Sequence, residues 1–517
     1  MKRTTALASI LLATASLTAS AGAQAPASSG ADFAARCEAL AGQVVGDVAI
    51  TAATPYMQTR TLPAGPGGRT GQMAPHCLVE GTINQRVGAG GVQYGIGFEL
   101  ALPVDWQGRF LLMGGGGLNG SIRPPSGPVA AGTRDALSRG FAVASHDSGH
   151  KGSGFDTSFH ADQRASLDFA ETSVLTVTLA TRALAERFYG TAPHHSYMTG
   201  CSTGGREGML ASQRYPELFD GIVIGAPAMR PGHSNLAIER AQVLLNATQP
   251  EINAGPAGIT PAERLVVDRE LARQCDGLDG REDGMIFNVS GCRDFDPSAL
   301  ACRAGETGDS CIAPERVEAL AQAFTGAPFY APIPWDTGIT FSGAGLPGYL
   351  PVGQPGVFGP ANASREMDVA ERINALGWDA VGRLTDTAYW TNLSTYLGRG
   401  SKLMYFHGVS DPWFSAFDTW DYFNRAREDN GTAAWDDAAR FYMVPGMMHC
   451  NGGNAFEQID LLEPIVEWAE NGTVPAGLTA ARTDGTAGER PLCPHPQYPR
   501  YKGGDVDAAA SYECIAP

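Results

Sequence analysis

Apolar and polar positions follow two different periods along this chain, and the changes of period mark its elements. Residues 95–102 alternate every second position, as a strand with one buried face does. Residues 109–113 are a short apolar strand that runs into four glycines at 114–117. Residues 141–145 read as another buried strand, closing on His146-Asp147. Residues 167–189 contain no Gly or Pro and space their apolar side chains as a helix does. A strand at 196–199, a turn at Ser202 and a helix to about residue 215 follow, then a strand at 221–225. Strand, helix and strand in that order predict a parallel sheet covered by helices. Between 228 and 395 the rhythm lapses: Gly and Pro are frequent, four cysteines occur and clean strands are few. It resumes at 402–406, a strand leading to Asp411, and at 440–444, a strand leading to His449. The predicted class is α/β, with a core built from residues 24–227 and 396–517. Residues 228–395 are inserted into it as a lid domain.

The first residues have another purpose. Lys2-Arg3, an apolar run at 6–17 and Ala21-Gly22-Ala23 match a signal peptide, residues 1–23, cut after Ala23. The run is too short to span a bilayer, and no later stretch is long enough. The expected location is secreted or periplasmic. Ten cysteines, an even number, suit that oxidising compartment, and no zinc-like CxxC pair occurs. Spacing alone fixes no pairing; Cys275–Cys292 and Cys302–Cys311 are plausible local bridges. A formal charge of -17 argues against nucleic acid or a membrane surface as partner, because both require basic surface.

Chemistry concentrates at Gly200-Cys201-Ser202-Thr203-Gly204, which fits G-x-S-x-G between a predicted strand and a predicted helix. A turn tight enough to present the serine hydroxyl leaves no room for flanking side chains. The Thr203 N–H then opens the helix towards a developing oxyanion. The alternative is a Gly-rich helix N-cap. An α/β-hydrolase order requires an acid and then a histidine downstream, each just past a strand. Asp411 and His449 meet that requirement; His407 precedes the acid, and His495 has no strand before it. Gly115, in the glycine run at a strand end, is the expected second oxyanion donor. Cys201 precedes the nucleophile and Cys450 follows the histidine. If Ser202 and His449 approach each other, these two cysteines are close enough to bridge.

Cys201-Ser202, Asp411 and His449-Cys450 together resemble the tannase/feruloyl esterase family. The stretches at 200–206, 214–216, 219–221, 225–227, 145–150 and 407–412 also read like it. The resemblance implies five disulfides: Cys37–Cys77, Cys201–Cys450, Cys275–Cys292, Cys302–Cys311 and Cys493–Cys514. It implies an α/β-hydrolase core whose lid contributes to substrate selection. It also implies a serine carboxylic-ester hydrolase acting on feruloyl or galloyl esters through an acyl-enzyme. The substrate is then a small aromatic ester, free or attached to plant polysaccharide or polyphenol. A terephthalate monoester is the second substrate reading, although the family's terephthalate hydrolase carries an acidic residue where Thr203 stands. A peptidase or thioesterase would use the same triad. A non-catalytic phenolic- or glycan-binding protein would not need Ser, Asp and His in this order.

A second motif lies in the insertion. Asp276, Asp279 and Asp283 supply three hard oxygen ligands in a Gly-turned loop, which suits a structural Ca²⁺. The resemblance adds the backbone carbonyls of Arg281 and Met285. Phe414, three residues past Asp411, matches a position that contacts the aromatic acyl group in the family. Trp335, Phe358, Trp378, Tyr389 and Trp390 are candidates for the pocket wall.

Overall fold

The computed structural model describes residues 30–64, 70–154, 156–249, 260–306, 308, 310–326, 329–337, 355–356, 359–360 and 364–517. The expected signal peptide and Phe358 lie outside them. Ten strands form one sheet: β1 (Val44–Val45), β2 (Val48–Tyr56), β3 (His76–Val87), β4 (Gln93–Pro103) and β5 (Arg109–Met113) come first. They are followed by β6 (Phe141–His146), β7 (His195–Ser202), β8 (Gly221–Pro227), β9 (Lys402–Gly408) and β10 (Ala439–Val444). Their order across the sheet is β1-β2-β3-β4-β6-β5-β7-β8-β9-β10. The first four and β6 pair antiparallel, and from β6 to β10 every pairing is parallel.

The parallel half is apolar on both faces, as a sheet covered on both sides must be. Phe110, Leu111, Ala142, Val143, Tyr197, Met198, Ile222, Val223, Leu403 and Met404 are fully buried. They divide between two apolar clusters, one on each face of the sheet. The segment before residue 95 supplies β2 and β3. Glu80 ends the buried run of β3 after Val79, so its burial alternates only in its second half.

The helix expected at 167–189 is interrupted. It continues as α1 (Ser173–Tyr189) only after a π-helical turn at Asp168–Thr172. The fully buried guanidinium of Arg206 donates to Ala170 O at 2.8 Å and Phe169 O at 3.0 Å, using carbonyls within that turn. Burial pushes this guanidinium down to about 10. Arg206 belongs to α2 (Thr203–Arg214), so the helix that starts at the serine turn is locked to its neighbour.

Residues 245–333 carry an apolar cluster of their own, centred on Val267, Leu271, Leu300, Leu320 and Phe324. Cys275–Cys292 and Cys302–Cys311 staple it. The other three bridges are Cys37–Cys77, Cys201–Cys450 and Cys493–Cys514, so all ten cysteines are paired. Three further helices matter below: α3 (Pro231–Ala247), α4 (Val369–Trp378) and α5 (Ala380–Thr385).

Candidate active site

β7 ends on Ser202 and α2 begins on Thr203, with no residue between. Ser202 has φ 65° and ψ -124°, a conformation that costs a non-Gly residue about 1–3 kcal/mol. Close backbone approach holds it there. A Cβ on Gly200 would lie 2.4 Å from Gly204 O, and one on Gly204 would lie 2.8 Å from Gly115 O. Neither position admits a side chain. Ala228 N–H donates to the Ser202 carbonyl at 3.0 Å, and Gly204 N–H to Gly115 O at 3.1 Å.

Asp411 and His449 meet past the ends of β9 and β10. His449 Nδ1–H donates to Asp411 Oδ2 at 2.6 Å, while the N–H groups of Trp413 and Phe414 donate to Oδ1 at 2.9 and 3.0 Å. Burial opposes the charge of Asp411, but the two histidines beside it outweigh burial and hold its carboxyl well below the usual range. The second histidine is His407, whose Nε2 lies 3.3 Å from Asp411 Oδ2 and 3.1 Å from Phe414 O. Both neighbours only accept, so Nε2 carries the proton. Sequence order had set His407 aside as a candidate base, and the structure gives it another position: it braces the acid.

His449 Nε2 is buried and has no hydrogen-bond partner among the described residues, so the contact to Ser202 is not formed. Cys201–Cys450 nevertheless brings the two loops together, with Cα atoms 5.9 Å apart. Hydrogen bonds of this kind often tighten only when substrate binds. The rings of Trp413 and Phe414 stand 4.8 and 5.2 Å from the imidazole. Phe414 was expected near the site. Trp413 was missed, although it is the aromatic residue nearest the acid in sequence.

The glycine run differs from expectation. Gly115 N–H, expected to face the oxyanion, donates to Glu207 Oε2 at 2.8 Å. Glu207 is 1% exposed in α2 and needs donors; Asn119 Nδ2 and Ser148 Oγ reach its other oxygen at 3.5 Å. Gly116 N–H goes to Asn119 Oδ1 at 2.8 Å and Gly114 N–H to Thr199 O at 2.9 Å. Gly117 N–H has no acceptor among the described residues. Its carbonyl accepts from the Thr203 hydroxyl, which places Gly117 against the start of α2. Thr203 N–H is one of the donors that a helix start leaves free.

A carboxylate from the insertion also reaches this region. Asp336 is fully buried, and its Oδ2 accepts from Ser410 Oγ at 2.6 Å and from Gly446 N–H at 2.7 Å. Ser410 precedes Asp411, and Gly446 lies on the loop leading to His449. One oxygen therefore ties both loops, and burial raises its carboxyl above the ordinary range. Asp336→Ala is expected to lower kcat about tenfold or more and stability by about 1–3 kcal/mol, since the donors Ser410 Oγ, Gly446 N–H and Thr337 N–H lose this acceptor. Asp336→Asn, which keeps an acceptor oxygen, should recover much of both in steady-state kinetics and thermal melts.

The remaining expected residues fall into two groups. Trp335 stacks on Phe324 at 3.8 Å within the insertion's own core, and Trp378, Tyr389 and Trp390 are exposed. In the acidic loop, Asp276 accepts from the N–H groups of Asp283, Gly284 and Met285. Asp279 accepts from Arg281 N–H and Phe287 N–H. Burial, reinforced by Asp283 and Asp276, pushes the Asp279 carboxyl up to about 7. Asp283 Oδ2 pairs with Arg281 and Arg490, while its Oδ1 is buried with no hydrogen-bond partner among the described residues. Among the described residues, no three acidic, His or Cys side chains converge as a ready metal cluster. The loop does concentrate buried negative charge and one unmet oxygen, which suits a hard cation.

The family profile described as "Tannase and feruloyl esterase" matches residues 79–342 and 365–515. The chain belongs to this family. It is 34% identical to the mono(2-hydroxyethyl) terephthalate hydrolase of Piscinibacter sakaiensis, over 93% of this chain and 92% of that one. It is 30% identical to a probable feruloyl esterase of Arthroderma benhamiae, over 80% of this chain and 81% of that one. The solved structure of feruloyl esterase B from Aspergillus oryzae superposes with a TM-score of 0.75 at 23% identity. That superposition covers 93% of this chain and 100% of the fungal one, and establishes the α/β-hydrolase fold. Family membership makes ester hydrolysis the reaction class.

Proposed function

We propose that Ser202, His449 and Asp411 form a catalytic triad that cleaves carboxylic esters of aromatic acids through an acyl-enzyme. The observation that carries this is the Asp411–His449 pair, bridged by Cys201–Cys450 to a serine held at positive φ. His449 Nε2 accepts the Ser202 proton as the hydroxyl attacks the ester carbonyl, and returns it to the departing alcohol. Asp411 fixes the ring and stabilises its cation. The N–H groups of Thr203 and Gly117 receive the oxyanion. Water activated by His449 then releases the acid. Trp413 and Phe414, beside the imidazole, support an aromatic acyl group, as do the relatives named feruloyl esterases. Turnover of methyl ferulate, methyl gallate and mono(2-hydroxyethyl) terephthalate tests the reading; no hydrolysis of any of them would overturn it. The terephthalate hydrolase relative favours the third substrate as a second reading.

The insertion acts as a lid in this proposal, and its loop at 276–285 holds Ca²⁺ through Asp276, Asp279, Asp283 and the carbonyls of Arg281 and Met285. Bound there, the ion neutralises the loop's carboxylates and takes no part in the chemistry. At a hundredfold excess over Kd, such an ion adds about 2.7 kcal/mol to stability. EDTA should therefore lower Tm by several degrees, and added CaCl₂ should restore it; a Tm indifferent to both would remove the ion from the proposal. The leader pattern at residues 1–23 and five bridges support a location outside the cytoplasm. No helix among the described residues is long and apolar enough to cross a membrane.

A further inference from the structure

Two of the three strongly exposed aromatic side chains among the described residues share one groove. Trp378 is 80% exposed, Tyr389 77% and Trp390 53%. Tyr389 and Trp390 line a groove of about 870 Å³ between the last turn of α2, the start of α3, and α4 and α5. Leu376 and Gly377, just before Trp378, line it as well. The groove is distinct from the triad. Its residues Gln213 and Arg214 end the helix that Ser202 begins, about 17 Å along the axis.

The loop that carries the two aromatics is held firmly. Gln213 Nε2 donates to Thr387 O at 2.8 Å and to Trp390 O at 3.0 Å. Thr387 N–H donates to Met229 O at 2.7 Å, Arg425 to Ala388 O at 3.0 Å, and Asn430 Nδ2 to Thr391 O at 2.7 Å. The main chain is thus fixed to the core while the rings stand in water. Core packing gives no reason for that arrangement, because burying two aromatic rings is strongly favourable. A rigid loop that presents them outward is a recognition surface.

The surrounding groups define what is recognised. Arg214 is paired with Glu171, and Arg230 with Asp418. Arg383 is exposed, and its guanidinium has no partner among the described residues. Asn392, Asp386 and His233 add donors and acceptors, while the aliphatic lining is limited to Ile373 and Leu376. A protein or lipid partner needs a broader apolar floor. Flat aromatic faces among scattered polar groups suit a ligand with apolar ring faces and a rim of hydroxyls. We propose that this groove binds a polysaccharide chain, its sugar rings stacked on Tyr389 and Trp390 and its hydroxyl or carboxylate groups held by Arg383 and Asn392. Binding there requires no turnover and does not depend on the ester-hydrolase reading. It would raise the local concentration of any ester carried on the same chain.

The test is affinity electrophoresis of the full Ser202→Ala chain through gels containing soluble arabinoxylan or polygalacturonate. Retardation by at least one polymer is expected. Tyr389→Ala/Trp390→Ala, made in the same background, should weaken it about tenfold or more, with an unchanged melting curve. Arg383→Ala should weaken polygalacturonate binding more than arabinoxylan binding. No retardation by either polymer, or retardation unaffected by the double substitution, would overturn the proposal. So would concentration-dependent self-association in sedimentation that the double substitution abolishes, because a second copy would then cover the groove.

Discussion

Ser202→Ala is expected to reduce kcat on methyl ferulate by about 10⁵–10⁶-fold while leaving the melting curve almost unchanged. The first effect follows from removing the group proposed to form the acyl-enzyme. The second follows from the backbone: alanine is as strained as serine at φ 65°, and the Ser202 side chain caps nothing on α2. Ser202→Gly separates the two more sharply. Glycine adopts this conformation freely, so the variant should be inactive yet more stable by about 1 kcal/mol. A Ser202→Gly chain no more stable than the parent would show that the turn stores no strain. A Ser202→Ala chain with full activity would remove Ser202 from the chemistry.

Replacing Cys201 and Cys450 together by alanine should lower kcat about a hundredfold or more and cost about 2–5 kcal/mol of stability. The bridge closes 249 residues of sequence and joins the residue before Ser202 to the residue after His449. Without it, the imidazole and the serine are positioned only by their separate loops, and a misplacement of about 1 Å is enough for such a loss. The comparison that decides the matter is Cys493→Ala/Cys514→Ala, which opens a bridge near the C-terminus. Equal loss of kcat in both variants, measured well below their melting temperatures, would make the catalytic bridge a general staple. Loss confined to the first would make it a clamp on the site.

The places of Ser202, Asp411 and His449 at or just past the ends of parallel strands were legible in the sequence, because strand ends are written locally. The cysteines beside two of them added a constraint between distant loops. Gly115 was misjudged for the opposite reason. The direction of its N–H is decided by Glu207, 92 residues away, and nothing around Gly114-Gly115-Gly116-Gly117 announces that carboxylate. Asp336 was invisible for the same cause: its partners Ser410 and Gly446 lie 74 and 110 residues downstream. The π turn before α1 depends on Arg206 of α2, so helical periodicity could place the helix but not its interruption.

The buried carboxylate of Asp336 also limits how this enzyme can be rebuilt. The segment at 228–395 is not a detachable cap. A shortened chain lacking residues 228–395 would leave Ser410 Oγ and Gly446 N–H facing an empty space, and the loops of Asp411 and His449 would relax independently. A chimera that borrows a specificity element from another chain inherits the same condition: the grafted segment must deliver an acceptor oxygen to that one point before its own pocket matters.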